Sequence, residues 1–267
     1  MDTTLGRPSG FERLIRQDRL IVLSGLAAIT LLSWISLVRM ASSMNAAATD
    51  AAMHAAMGMP EMSEWGMAEL VMLFLMWTVM MVAMMLPSAS PVVLLVVSTY
   101  RRRGGNACAL SIAFASGYLA AWTVFSIVAA VIQLVLHRVA LLSPAMATPS
   151  AVAGGAILLV AGAYQWLPLK NTCLIHCRSP LAFIATEWRE GAGGAFTMGL
   201  RHGLYCVGCC WALMLLLFAA GVMNLIWVAA IALFVLVEKV APRGVLFGRA
   251  AGLLLMVWGA WVVMRAL

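Results

Sequence analysis

Met198-Gly-Leu-Arg-His-Gly-Leu-Tyr-Cys-Val-Gly-Cys-Cys-Trp-Ala-Leu-Met214 carries a histidine, three cysteines and no acidic residue, within a run that stays apolar as far as Gly221. Length and hydropathy read as a membrane helix, and its polar groups read as a site inside that helix. At about 100° per residue, His202, Cys206 and Cys209 fall within an arc of about 60°, with Cys210 on its edge. One helix face therefore offers several soft ligands. Gly199, Gly203 and Gly208 remove bulk beside them, so a neighbouring helix or an ion can approach the backbone.

Outward from this stretch the whole chain reads the same way. It has 267 residues, 64% hydrophobic and 10% charged, with a mean hydropathy of +1.00. A soluble domain carries about 25% charged residues, so the chain reads as a single all-α integral membrane domain over 1–267, a polytopic helix bundle. The first apolar run, 20–38, is long enough to span, and no small-residue cleavage site follows it. The net charge of +7 comes from residues placed between apolar runs, where they set orientation and imply no nucleic-acid partner.

Taken in order, the apolar runs predict about seven transmembrane helices. Arg7, Arg13, Arg16 and Arg19 place the 1–19 segment in the cytoplasm by the positive-inside rule. Residues 39–66 form an outer loop rich in methionine, with His54, Met57, Met59 and Met62. The second span meets Pro87 and Pro91, which predict a kinked or broken helix, and Arg101, Arg102 and Arg103 return the chain to the inner side. Residues 169–194 form an inner loop with Cys173, His176 and Cys177. An odd number of spans leaves the C-terminus outside, and most of the 17 basic residues fall on the inner side. This is the pattern of a bacterial inner-membrane protein, with the lipid bilayer as its first partner.

The ligand types are sorted by side. All six cysteines lie toward the inner side, where thiols persist and bind soft metals. Methionines crowd the outer side. Met72, Met76, Met80 and Met84 recur every fourth residue and make a slowly turning stripe of about 120°. Thioethers together with thiolates select Cu(I) over hard cations, while zinc takes thiolate and imidazole but not methionine. The expected metal ligands are Cys173, His176, Cys177, His202, Cys206, Cys209 and Cys210. The expected entry path is His54, Met57, Met59, Met62, Met72, Met76, Met80 and Met84. Copper is the first expectation and zinc the second. The competing interpretation of the methionines is plain core packing. Arg201 reads as an intramembrane charge that needs a partner or snorkels inward, and Glu238-Lys239 as an anchor at a helix end.

Three motifs, Met80-Met-x-Ala-Met-Met-Leu-Pro87, Cys173-x-x-His-Cys-Arg-Ser-Pro180 and Gly199-Leu-Arg-His-Gly-x-Tyr-Cys-x-Gly-Cys-Cys-Trp211, together resemble a bacterial family of predicted metal-binding integral membrane proteins, a domain family of unknown function. The resemblance runs from Trp77 to the C-terminus and implies metal binding by these residues. The expected function is Cu(I) handling: uptake, delivery or sequestration. The alternatives are a membrane thiol-disulfide oxidoreductase in which Cys206 works with Cys209 or Cys210 against Cys173 and Cys177, and a non-catalytic partner that metallates a larger membrane enzyme. No catalytic residue is assigned. A metallochaperone, a membrane enzyme and a second copy of the chain are the candidate protein partners.

Overall fold

A computed structural model describes residues 10–56, 66–138 and 150–266. These residues form α1 (Gly10–Ala56), α2 (Met67–Arg102), α3 (Ala107–Arg138), α4 (Ala151–Tyr164), α5 (Pro168–Arg178), α6 (Pro180–Glu187), α7 (Gly191–Ala220), α8 (Leu225–Val240) and α9 (Gly244–Ala266), with no strand among them. The all-helical bundle is as expected. The seven-span count is not supported. Among the described residues five helices are long and apolar enough to cross a membrane, or six if α4 and α5, bent by 64° where they meet, count as one span. The shortfall has a physical basis. α8 has 16 residues, about 24 Å at 1.5 Å per residue, short of a hydrocarbon core of about 30 Å. α4 stops at Tyr164, and Pro168 opens a new helix in another direction.

Three further expectations are corrected. Residues 39–56 are not loop but the continuation of α1. Residues 169–194 are not an irregular loop either, since they form α5, α6 and the start of α7. α2 is not broken at Pro87 or Pro91 but runs unbroken through both. Each proline removes an N–H that would have bonded the carbonyl four residues earlier. For Pro91 that carbonyl belongs to Pro87, and the Ser90 hydroxyl donates to it at 2.8 Å. Just before it, Ser88 Oγ donates to the Met85 carbonyl at 2.8 Å. At Pro91 a side-chain donor on a helix covered by its neighbours thus replaces what the proline removes.

Packing follows the glycines. Where apolar helices such as these pack in lipid, burying apolar groups against one another gains little, so contact depends on how closely backbones can approach. A Cβ at Gly117 would fall on the Phe196 carbonyl, and one at Gly199 on the Phe114 carbonyl. α3 and α7 are therefore in backbone contact. Gly155 with Gly259 and Gly162 with Gly252 do the same for α4 and α9. One end of the bundle is tied by charge: Arg101 Nη2 donates to Asp18 at 2.6 Å, Arg103 to Glu190 at 3.2 Å, and Arg201 pairs with Glu187. That last pair gives Arg201 the partner it needed. The core holds Met76, Met80, Met81, Met84 and Met85 of α2 in one buried cluster with Cys177, Cys206, Cys209, Cys210 and Met214.

Gly117→Val is expected to destabilise the protein by about 3 kcal/mol or more, because it forces two backbones apart. Gly25→Ala, where a Cβ meets nothing within 4 Å, should leave the melting temperature of the detergent-solubilised protein unchanged or slightly raised.

Candidate metal centre

α7 presents Cys206, Cys209 and Cys210 on two successive turns, all of them buried. The Cys209 thiol donates to the Cys206 carbonyl at 3.1 Å and the Cys210 thiol to the same oxygen at 2.7 Å. α5 supplies the opposing sulfur: Cys177 Sγ lies 4.0 Å from Cys209 Sγ. Cys173, one turn earlier on α5 and half-buried, faces α7 at Gly208, where an added Cβ would come within 2.8 Å of its sulfur. Gly208 is thus the clearance that lets α5 lie against α7. Its carbonyl accepts a hydrogen bond from the Tyr164 hydroxyl, which ties the end of α4 to the same place.

Cys206 is held by polar groups from two other helices. Lys239 Nζ, at the end of α8, lies 2.9 Å from Cys206 Sγ and donates to Ser88 Oγ at 3.0 Å. The Tyr118 hydroxyl of α3 lies 3.1 Å from Cys206 Sγ and 3.1 Å from the Met85 carbonyl. The adjacent Glu238 turns the other way. It accepts from Lys170 Nζ of α5 at 2.5 Å, with the two side chains 2% and 1% exposed, and Gln165 also bonds that ammonium. Glu238 and Lys239 are therefore internal links and not the helix-end anchor expected from sequence. Lys170, Ser88 and Tyr118 were missed, and Lys239 was read only as part of the helix-end anchor. The legible signals were that Lys170 and Lys239 are the two lysines of the sequence and that Ser88 stands at the next fourth-residue step after Met84.

The histidines stand apart from the sulfurs. His202, one turn before Cys206, is buried among Phe114, Tyr118 and Phe183, with ring centroids 6.1, 5.9 and 5.0 Å away, and its Nδ1 has no hydrogen-bond partner. His176 stacks on Tyr205 at 4.3 Å, and its Nδ1 meets the Thr172 carbonyl at 2.8 Å. Among the described residues no group of three or more His, Cys, Asp or Glu is arranged to hold a metal ion. Two of the central thiols are turned onto a carbonyl, and the Cys177–Cys209 pair is what crosses between α5 and α7. Of the methionine stripe, Met76, Met80 and Met84 are buried and Met72 is 62% exposed. Met57, Met59 and Met62 lie outside the described residues, as does the side chain of His54.

The comparison with known families falls on these same elements. The PpoB2 family, described as a copper chaperone, matches residues 74–262, from α2 to α9. The chain belongs to this family. The PpoB2 match agrees with the metal-related resemblance noted from sequence, but it carries a functional description where a domain of unknown function was expected. No curated protein matches the chain, and no solved structure does.

Removing one partner of a buried ion pair strands the other charge, at a cost of about 3–5 kcal/mol. Lys170→Met alone and Glu238→Gln alone should each lower thermal stability by about that amount. The double variant Lys170→Met/Glu238→Leu should recover most of it, read as melting temperature in detergent.

Proposed function

We propose that this PpoB2 member is an integral membrane protein that receives Cu(I) along the methionines of α2 and holds it on cysteines of α5 and α7 for delivery. The observation that carries the reading is the 4.0 Å separation of Cys177 and Cys209 across two helices, with Cys206 and Cys210 on the adjacent turns. Metal–thiolate bonds are about 2.3 Å, so one soft ion reaches both sulfurs without moving either helix. The donor set is sulfur, which suits Cu(I) and disfavours hard cations. Cys209 and Cys210 become available when they lose their protons: a thiolate cannot donate, so the bonds to the Cys206 carbonyl lapse and both sulfurs are free to turn.

In this reading Cys206, beside Lys239, is the central ligand. Cys173, half-buried on α5, stands on the exposed side, from which handover to a metallochaperone or a membrane enzyme would start. His202 and His176, near the central cysteines in the chain but turned into aromatic surroundings, are left out of the ligand set. Zinc is disfavoured because neither imidazole lies among the sulfurs and the approach is lined by thioethers. The basic N-terminal segment puts that end of the chain in the cytoplasm, so Cu(I) moves inward from the methionine end.

The same 4.0 Å contact favours a second reading, a thiol-disulfide exchanger in which Cys177 and Cys209 form the bridge. The copper reading is tested on protein purified under reducing conditions. Wild type is expected to retain Cu(I) against a competing chelator. Cys177→Ser and Cys209→Ser should each weaken retention by about tenfold or more, a loss of roughly 1.4 kcal/mol or more of binding. Unchanged retention in both variants overturns the copper reading. A Cys177–Cys209 disulfide in protein taken directly from cells, detected by mass spectrometry, would favour the exchanger.

A further inference from the structure

A second cluster of soft donors lies away from the cysteines, where α1 meets the start of α2. A cavity of about 270 Å³ opens there, and four of its eight lining residues are methionines: Met40 and Met44 from α1, Met72 and Met76 from α2, with Ser43 and Glu69 beside them. Each helix contributes a pair four residues apart, and such residues share one face. The two pairs therefore oppose each other across the cavity. Met40 and Met44 are half-buried, Met72 is exposed and Met76 is 2% exposed, so the four thioethers run from an open mouth to the interior. The Glu69 carboxylate is held in place by the Gly66 N–H at 2.7 Å and puts a negative charge on the cavity wall.

The inner end of the cavity continues toward the cysteines. Met76, Met80, Met84 and Ser88 follow one another at steps of four along the unbroken α2. Ser88 bonds the lysine that bonds Cys206. The distance from Met76 to Ser88 is about 18 Å along the helix at 1.5 Å per residue. The cavity is thus separate from the centre and joined to it by a buried row of thioethers.

We propose that Met40, Met44, Met72 and Met76 form a distinct all-thioether site that captures Cu(I) before it passes to the cysteines. Neutral thioethers hold a soft monovalent ion without the proton loss that thiolates require, and they offer little to Zn(II). The ion is therefore bound more loosely here than at the cysteines, which gives the transfer its direction. This inference rests on the copper reading for the passage inward, but the cavity's own affinity is separable from it.

The test uses the full-length protein in lipid nanodiscs and Ag(I) as a redox-inert stand-in for Cu(I). A variant with all six cysteines, Cys108, Cys173, Cys177, Cys206, Cys209 and Cys210, changed to Ser is expected to retain one Ag(I) per chain. Adding Met40→Leu/Met44→Leu should abolish that equivalent, and adding Met72→Leu alone should weaken it. These swaps nearly conserve volume, and an unchanged melting temperature in the Leu variants checks the fold. In the chain with its cysteines intact, Met40→Leu/Met44→Leu should slow loading of the cysteine centre while leaving its final occupancy unchanged. Ag(I) binding by the cysteine-free protein that survives Met40→Leu/Met44→Leu, or equal uptake of Zn(II) at the cavity, overturns the proposal. Should the six-serine variant bind as much Ag(I) as wild type, the cysteine centre fails as the holding site, and the cavity stands or falls on the leucine variants alone.

Discussion

The structure turns on the Lys239 ammonium. A charge enclosed by apolar helices costs several kcal/mol unless it is partnered, and this one is placed between Ser88 Oγ and Cys206 Sγ. That requirement fixes the end of α8 against α2 and α7. Glu238, the preceding residue, projects about 100° away around the same helix and holds Lys170 of α5. Two neighbouring side chains therefore hold four helices in one layer, and the sulfur cluster lies in that layer. The register of α5 on α7, and with it the distance from Cys177 to Cys209, is tied to how these charges are satisfied.

Rigid and compliant parts are divided between the helices. α3 and α7 meet backbone to backbone at Gly117 and Gly199, a contact with no side chain to rearrange. α2 instead presents buried methionines, whose unbranched thioethers change rotamer at little cost. A chaperone for a soft ion needs both properties: a centre whose geometry is held and an approach whose ligands can follow the ion. The thioethers lie on α2 and the thiols on α5 and α7, so the weaker ligands precede the stronger along the proposed route.

Much of this was legible in one dimension. The apolar runs required a helical bundle, and Gly199, Gly203 and Gly208 announced close approach; the latter two face Ala121 and Cys173. The i, i+3, i+4 spacing of Cys206, Cys209 and Cys210 required a shared face. The errors came where a local rule met a tertiary answer. Pro87 and Pro91 predict a break only if nothing replaces the lost donors, and Ser90 does so for Pro91. Counting spans by hydropathy could not anticipate that α8 stays at 16 residues or that α4 turns by 64° into α5. Residues 39–56 and 169–187 look like loops because their polarity is mixed, yet they extend or form helices.

The sequence by itself determined which chemistry is present and on which helix: thioethers on α2, thiols on α5 and α7, glycine where backbones must touch. Helical periodicity is a property of the chain alone, so these assignments needed no partner. Only the tertiary structure decided which sulfurs face one another. It set Cys177 against Cys209, turned the His176 and His202 rings into aromatic surroundings, and made Lys239 a neighbour of Cys206. The reason is that burial of charge is satisfied between helices. Ser88 and Lys239 are 151 positions apart along the chain, and no local rule relates them.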